Sequence, residues 1–250
     1  MEVYWFILFF VVGVVIGSFF NVVGLRVPQR IPFSNDRSYC PSCQKQLKSI
    51  DLIPIFSYLF LRGKCRHCQT NISILYPIIE ILTGFLFAFS YWKLGLSLEL
   101  ITVLIFISML MILFVSDLTY MLIPNKILLF FLPLLIIMRI ISPLTPWYDA
   151  IIGAVVGYVV LALIIILSKG GMGGGDMKLF GVIGIIIGWK GTLLTLFLAS
   201  LLGLFVGGTM ILFKKQAKKE PIPFGPYIIV AAIISYFYGD NIIAFYMEFF

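Results

Sequence analysis

Apolar runs long enough to cross a bilayer recur along this 250-residue chain, too many for a soluble core to hide. The first covers residues 3–25 and, at about 23 residues, suffices for one spanning helix. Seven more fall at roughly 72–92, 98–116, 124–142, 149–168, 177–189, 192–213 and 224–239. Hydrophobic residues make up 61% of the sequence and charged ones 12%, where soluble domains carry about a quarter charged. The expected fold class is an all-α polytopic membrane protein of about eight transmembrane helices, with one small cytoplasmic insertion after the first helix. Residues 1–25 then form the first helix, 26–71 a separate module and 72–250 a seven-helix core. Only Met1 and Glu2 precede the first run, so it lacks the basic flank of a cleaved signal peptide and is expected to stay attached.

Charge sets the orientation. With the N-terminus outside, the cytoplasmic side collects the basic residues from Arg26 to Arg66, Lys126, Lys169, Lys178 and the cluster Lys214, Lys215, Lys218 and Lys219. Of the 18 basic residues, only Lys93, Arg139 and Lys190 fall outside. This is the positive-inside pattern, and it accounts for a net charge of +7 by attraction to an anionic inner leaflet rather than to nucleic acid. The sixth run is short: about 13 residues rise about 20 Å against a core of about 30 Å. Either the turn at Gly188-Trp189-Lys190-Gly191 is sunk in the bilayer or the helix starts deeper than Asp176. Small residues four apart, as in Gly13 and Gly17, Gly153 and Gly157, Gly184 and Gly188, and Gly203 and Gly207, read as close helix packing.

All four cysteines lie between residues 26 and 71, as Cys40-Pro41-Ser42-Cys43 and Cys65-Arg66-His67-Cys68. Two C-x2-C knuckles can offer four thiolates to one tetrahedral zinc ion, and a fully protein-ligated site of this kind is structural. Disulfides, disfavoured in a reducing cytosol, and redox-active thiols are the other readings. His67 sits inside the second knuckle and could replace a thiolate, but four cysteines do not need it. The few scattered basic residues of the module do not point to nucleic acid.

Two acids stand at the edges of apolar runs. Asp117 ends the third run, in Ser116-Asp117-Leu118-Thr119-Tyr120, and Asp176 opens the sixth, behind Gly173-Gly174-Gly175. Topology places both on one side. Carboxylates at such positions are costly and are functional candidates by default. Two carboxyls brought close cannot both ionise cheaply, so the pair would share one proton; the ionised member draws a proton from water while the protonated one polarises a peptide carbonyl. That is aspartic peptidase chemistry. Capping or pairing with Lys178 or Lys126 is the structural alternative, and an ion pathway another. No other catalytic motif competes.

These residues resemble the type IV prepilin peptidase family of bacterial membrane aspartic proteases. The likeness runs through Gly17-Ser18-Phe19-Phe20-Asn21-Val22-Val23 with Arg26-Val27-Pro28, the paired C-x2-C module, Leu52-Ile53-Pro54 and Ser57-Tyr58-Leu59. It continues in Tyr76-Pro77-Ile78-Ile79-Glu80, the block from Asp117 to Asn125, Gly173-Gly174-Gly175-Asp176 with Lys178, and Pro223-Phe224-Gly225-Pro226. Asn125 stands where many relatives carry Asp.

The resemblance implies a bifunctional enzyme of the bacterial cytoplasmic membrane. Such an enzyme removes the leader of prepilins or pseudopilins at the cytoplasmic face and N-methylates the new terminus using S-adenosylmethionine. It implies Asp117 and Asp176 as catalytic, Cys40, Cys43, Cys65 and Cys68 as zinc ligands, and Gly173, Gly174, Gly175 and Lys178 as substrate or loop support. Some relatives are peptidases only. No strand followed by G-x-G-x-x-G offers a methyl-donor site, which leaves Glu80, an acid inside the second run, as a candidate for methyl transfer or for a structural hydrogen bond. A transporter with an aspartate relay and a membrane-tethered zinc-binding protein are the readings from other classes.

Overall fold

The computed structural model describes residues 2–32, 38–40, 42–168, 171–212 and 223–248. Arg37, Lys169, Lys214, Lys215, Lys218 and Lys219 lie outside the described residues. The chain is helical: α1 (Glu2–Arg26), α2 (Phe56–Phe60), α3 (Leu75–Leu94), α4 (Leu98–Tyr120), α5 (Asn125–Ile141), α6 (Asp149–Leu167), α7 (Gly174–Leu212) and α8 (Gly225–Met247). Among the described residues there is no strand, only two isolated antiparallel bridges, Tyr39 with Gln46 and Lys64 with Asn71. Six helices, α1, α3, α4, α6, α7 and α8, are long and apolar enough to cross a membrane. The protein is an all-α multi-pass membrane protein.

Two compact units divide the chain, Met1–Val115 and Ser116–Phe250. In the first, α1 packs along α3 because glycines remove side chains from the contact. A Cβ at Gly13 would stand 2.8 Å from Gly84 Cα, and one at Gly17 3.0 Å from Thr83. This is the small-residue packing that the spacing suggests. Gly24 makes a similar approach to α4, where a Cβ would lie 2.7 Å from Val115.

In the second unit α7 is interrupted at Gly188, whose φ of 69° and ψ of 179° are not helical. The break reverses the chain. Phe180 and Thr192 both lie against Gly157, although twelve residues along a straight helix would separate them by about 18 Å. α7 is therefore two antiparallel arms, the sixth and seventh expected spans, and with α5 the eight expected spans each have a helical segment among the described residues. Gly188 is obligatory for two reasons: its φ suits only glycine, and a Cβ would overlap the Asp149 carboxylate.

The first arm runs antiparallel to α6 in a regular register, with Gly188 against Asp149, Gly184 against Gly153 and Phe180 against Gly157. Continued by one more turn, this register sets Asp176 level with Leu161. α6 goes on to Leu167, so Asp176 is recessed about 9 Å from the α6 end. The expected start at residue 177 gives way to Gly174, which takes Asp176 into the first helical turn.

The break also frees a carbonyl. Arg139, buried near the end of α5, donates from Nη2 to the Ile186 oxygen at 2.6 Å and from Nη1 to the Ser142 oxygen at 3.2 Å. Replacing it with Met would leave the Ile186 acceptor buried and unmade, a cost of roughly 1–3 kcal/mol. Arg139→Met should lower the thermal unfolding midpoint of the detergent-solubilised protein while leaving bound metal unchanged, as read by differential scanning fluorimetry and metal analysis.

Candidate active site

Asp117 sits three residues before the end of α4 and is 6% exposed. The helix stops at Tyr120 because Met121 takes a left-handed conformation (φ 53°) and Pro124 disfavours helix in the residue before it. The Met121 N–H still donates to the Asp117 carbonyl at 2.8 Å, and the Ser116 hydroxyl donates to the Leu122 carbonyl at 2.6 Å. The turn is thus tied back onto the helix that carries the acid. From its side chain, Asp117 Oδ2 accepts the Gly225 N–H at 2.9 Å, which places a carboxylate on the first N–H of α8. A Cβ at Gly225 would come within 2.5 Å of that oxygen, so the contact requires glycine.

Asp176 lies in the first turn of α7, 8% exposed. Its N–H donates to the Gly173 carbonyl at 3.1 Å, and its side chain is hydrogen-bonded to the Gly173 backbone. The three glycines differ in their surroundings. A Cβ at Gly173 would lie 3.3 Å from Asp176 Oδ2, one at Gly175 would press on Ile123 at 2.9 Å, and Gly174 has nothing within 4 Å. The tight contact of Gly175 with the turn after α4 joins the two acid-bearing elements. The structure brings the acids together, close enough for the Asp117 charge to act on Asp176. Both carboxylates lie at helix N-termini, where the macrodipole and free N–H groups favour negative charge.

Lys178, one residue past Met177, donates from Nζ to Asn125 Oδ1 at 3.0 Å and so links α7 to the start of α5. These two residues close one end of a groove of about 600 Å³ between α5, α6 and α7, whose walls, including Leu129, Val155 and Tyr158, are otherwise apolar.

In the first unit the four cysteine sulfurs all lie within 4.8 Å of one another. A tetrahedral ion with Zn–S bonds of about 2.3 Å needs sulfurs about 3.8 Å apart, and Cys40 and Cys68 stand at 3.7 Å. The donor set therefore fits zinc. The two knuckles share one design. Cys40 N–H donates to Lys45 O and Gln44 N–H to Cys40 O; Cys65 N–H donates to Thr70 O and Gln69 N–H to Cys65 O, all at 2.9 to 3.0 Å. Gln44 and Gln69 both turn the chain with positive φ, 57° and 59°.

Backbone hydrogen bonding from Cys43 brings the Cys40 thiol down to about 6, and Thr70 lowers Cys68. At Cys43 the Lys45 backbone favours the thiolate, yet desolvation and the neighbouring thiols Cys68 and Cys40 hold the group up at about 11. A dication at the centre is what would let all four ionise together. His67 is exposed and stands outside the cluster.

Glu80 is buried in α3, 6% exposed. Its Oε2 accepts the Ile55 N–H at 2.8 Å, and it is hydrogen-bonded to Ser18 of α1. The carboxylate thus fastens the loop between the knuckles to two helices. Asn21 contributes a second tie, donating to the Tyr76 carbonyl at 3.2 Å.

Four features escaped the sequence reading. Gly225 was visible only as part of a motif, its role as the donor to Asp117 being set by a contact across 108 residues. The packing of Gly175 on Ile123 and the turn bond from Ser116 likewise have no local signature. Positive φ at two glutamines is similarly silent, although each follows directly on the second cysteine of a knuckle.

Comparison with known proteins identifies the family. The model of the bacterial peptidase A24 N-terminal domain matches residues 11–94, and that of the type IV leader peptidase family matches residues 104–208. A prepilin leader peptidase/N-methyltransferase of Bacillus subtilis (strain 168) is 44% identical over 239 residues, covering 96% of each chain. Proteins of the same description from Aeromonas salmonicida (strain A449) and Pseudomonas aeruginosa are 34% and 31% identical, over 98% and 95% of this chain and 94% and 91% of their own. No solved structure matches significantly.

The cysteine geometry predicts about one zinc per chain by metal analysis. Chelation, or Cys65→Ser, should lower that content and expose the region between the knuckles to proteolysis; a metal-free preparation of equal protease resistance would contradict it.

Proposed function

The chain belongs to the type IV leader peptidase family, and from that membership we propose that it cleaves the leader from type IV prepilins or pseudopilins and N-methylates the residue so exposed. The observation that carries the reading is the burial of Asp117 and Asp176 on separate helices, near enough for one charge to act on the other, in a chain alike over almost its whole length to proteins of that description.

The chemistry follows from the pair. One proton is held between two carboxyls, because like charges at short range cannot both be maintained cheaply. The ionised partner takes a proton from water as that water attacks the scissile carbonyl; the protonated partner donates to the carbonyl oxygen and stabilises the tetrahedral intermediate. Proton transfer to the leaving nitrogen then breaks the peptide bond and restores the shared proton. The Gly225 N–H on Asp117 and the Gly173 backbone on Asp176 fix the two carboxyls, so little reorganisation is needed during the step. Gly174, with open space around it, leaves room for a substrate backbone beside Asp176.

The apolar groove that starts at Lys178 lies two residues from Asp176 and suits the apolar segment that follows a prepilin leader. The closeness of Lys178 to Asp176 along α7 is what supports a substrate role for it. Methylation uses S-adenosylmethionine as donor. Of the two roles for Glu80, the tether is the one that its hydrogen-bond partners support, and we place it as a positioning residue of the 26–71 module, with residues 72–250 carrying the cleavage chemistry. The charge pattern supports an N-terminus outside and a cytoplasmic zinc module in the bacterial plasma membrane.

Incubating the purified protein with a prepilin-like peptide, with and without S-adenosylmethionine, and reading mass tests both activities. Asp117→Asn and Asp176→Asn should each abolish cleavage, by at least about 10³-fold, while a pre-cleaved peptide is still methylated; cleavage retained in either variant rules out the pair. Gly225→Ala should cut the rate by about 10²-fold through displacement of Asp117. At Gly181 a Cβ meets nothing closer than 3.7 Å, so Gly181→Leu can fill the groove without disturbing helix packing and should raise KM more than it lowers kcat.

A further inference from the structure

The segment between the two knuckles is not held out in water. Glu80 lies five residues into α3, about 7.5 Å along its axis. Beside it on α1 is Gly17, where a Cβ would be 3.1 Å from Glu80 Cα, nine residues or about 13 Å short of the end of α1 at Arg26. Yet the Glu80 carboxylate accepts the Ile55 N–H at 2.8 Å. Even allowing for the reach of a glutamate side chain, which leans toward the start of its helix, the loop backbone descends alongside α1 and α3 to a level inside their ends.

At that level the loop presents apolar side chains outward. Ile55 adopts φ 61°, rare for a β-branched residue and maintained only where surrounding bonds impose it. The turn leads into α2, on which Phe56, Leu59 and Phe60 are 60%, 64% and 82% exposed; Ile50 and Ile53 before it are exposed as well. Water would make such a patch costly, and nothing else among the described residues covers it.

Its rim is basic. Lys45, Lys48, Arg62 and Lys64 are exposed, and the single described acid of the module, Asp51, is occupied by Arg66 at 2.8 Å with its own side chain 2% exposed. An apolar face just inside the level of the helix ends, ringed by cations on long stems, matches the interface of an anionic phospholipid leaflet. The apolar side chains enter the acyl boundary and the ammonium and guanidinium groups reach the headgroups.

We infer that residues 50–60 of the zinc module form a lipid-docking face, with Phe56, Leu59 and Phe60 inserted into the leaflet on the module's side of the membrane and Glu80 setting the depth. The zinc site then rests on the bilayer rather than swinging from two linkers. This rests on the chain spanning the membrane and not on the peptidase reading, so it stands or falls separately from the cleavage assay.

The test uses the full-length protein in nanodiscs, with p-acetylphenylalanine in place of Phe60, Leu59 or His67 and a nitroxide attached at the ketone, which leaves the zinc cysteines untouched. Oxygen and a water-soluble nickel chelate compete as relaxation agents. The oxygen-to-nickel accessibility ratio at positions 59 and 60 should exceed that at exposed position 67 several-fold, and should rise when zwitterionic lipid is replaced by a mixture containing phosphatidylglycerol. Metal content checks that each labelled protein is folded. Ratios at 59 and 60 equal to that at 67 would overturn the inference, as would protection that appears only on adding a prepilin-like peptide, which would assign the face to a protein partner.

Discussion

A carboxylate held out of water keeps its charge only where fixed dipoles replace the lost hydration, and the second unit is organised to supply them twice. α8 begins on Asp117 through the Gly225 N–H, and α7 begins around Asp176. The remaining specialisations follow from these placements. α4 has to end in a left-handed turn so that the chain can leave the acid at once, Ile123 has to meet Gly175, and Gly225 has to lack a side chain. The glycines of the site serve the acids by permitting contact between elements, and only Gly174 is left with open space.

The second constraint is the reversal at Gly188. It makes one long helix into two arms and sets the first in register with α6, which fixes how far Asp176 lies from the end of its neighbour. Arg139 accepts the consequence of the break by taking up the Ile186 carbonyl. A cation buried near one end of the unit is thereby linked to the placement of an acid near the other, through a rigid arm of helix.

Much of this could be read from the residues. Long apolar helices, a reversal near residue 188 and a cluster of four cysteines all follow from hydropathy and spacing, because each is a local pattern or a sum over long windows. The start of α7 was not legible: Gly174 and Gly175 carry no hydropathy signal and ordinarily argue against helix, yet they open one here, with Gly175 packed on Ile123. The Asp117 bond to Gly225 and the Glu80 bond to Ile55 join positions 108 and 25 apart in sequence, where no periodicity connects them. The type of helix-forming segment is encoded locally, whereas the partners of its buried polar groups depend on which elements meet.

α5 has 17 residues, about 25 Å of rise, and the first arm of α7 is shorter still. Lipid tails beside them must compress, or headgroups sink, to match that thickness. The dimple so formed would bring bulk solvent down toward the recessed acids, and hydrolysis inside a membrane needs such a supply: a proteolytic centre spends one H₂O per bond cut, and here the brevity of two helices would draw it in.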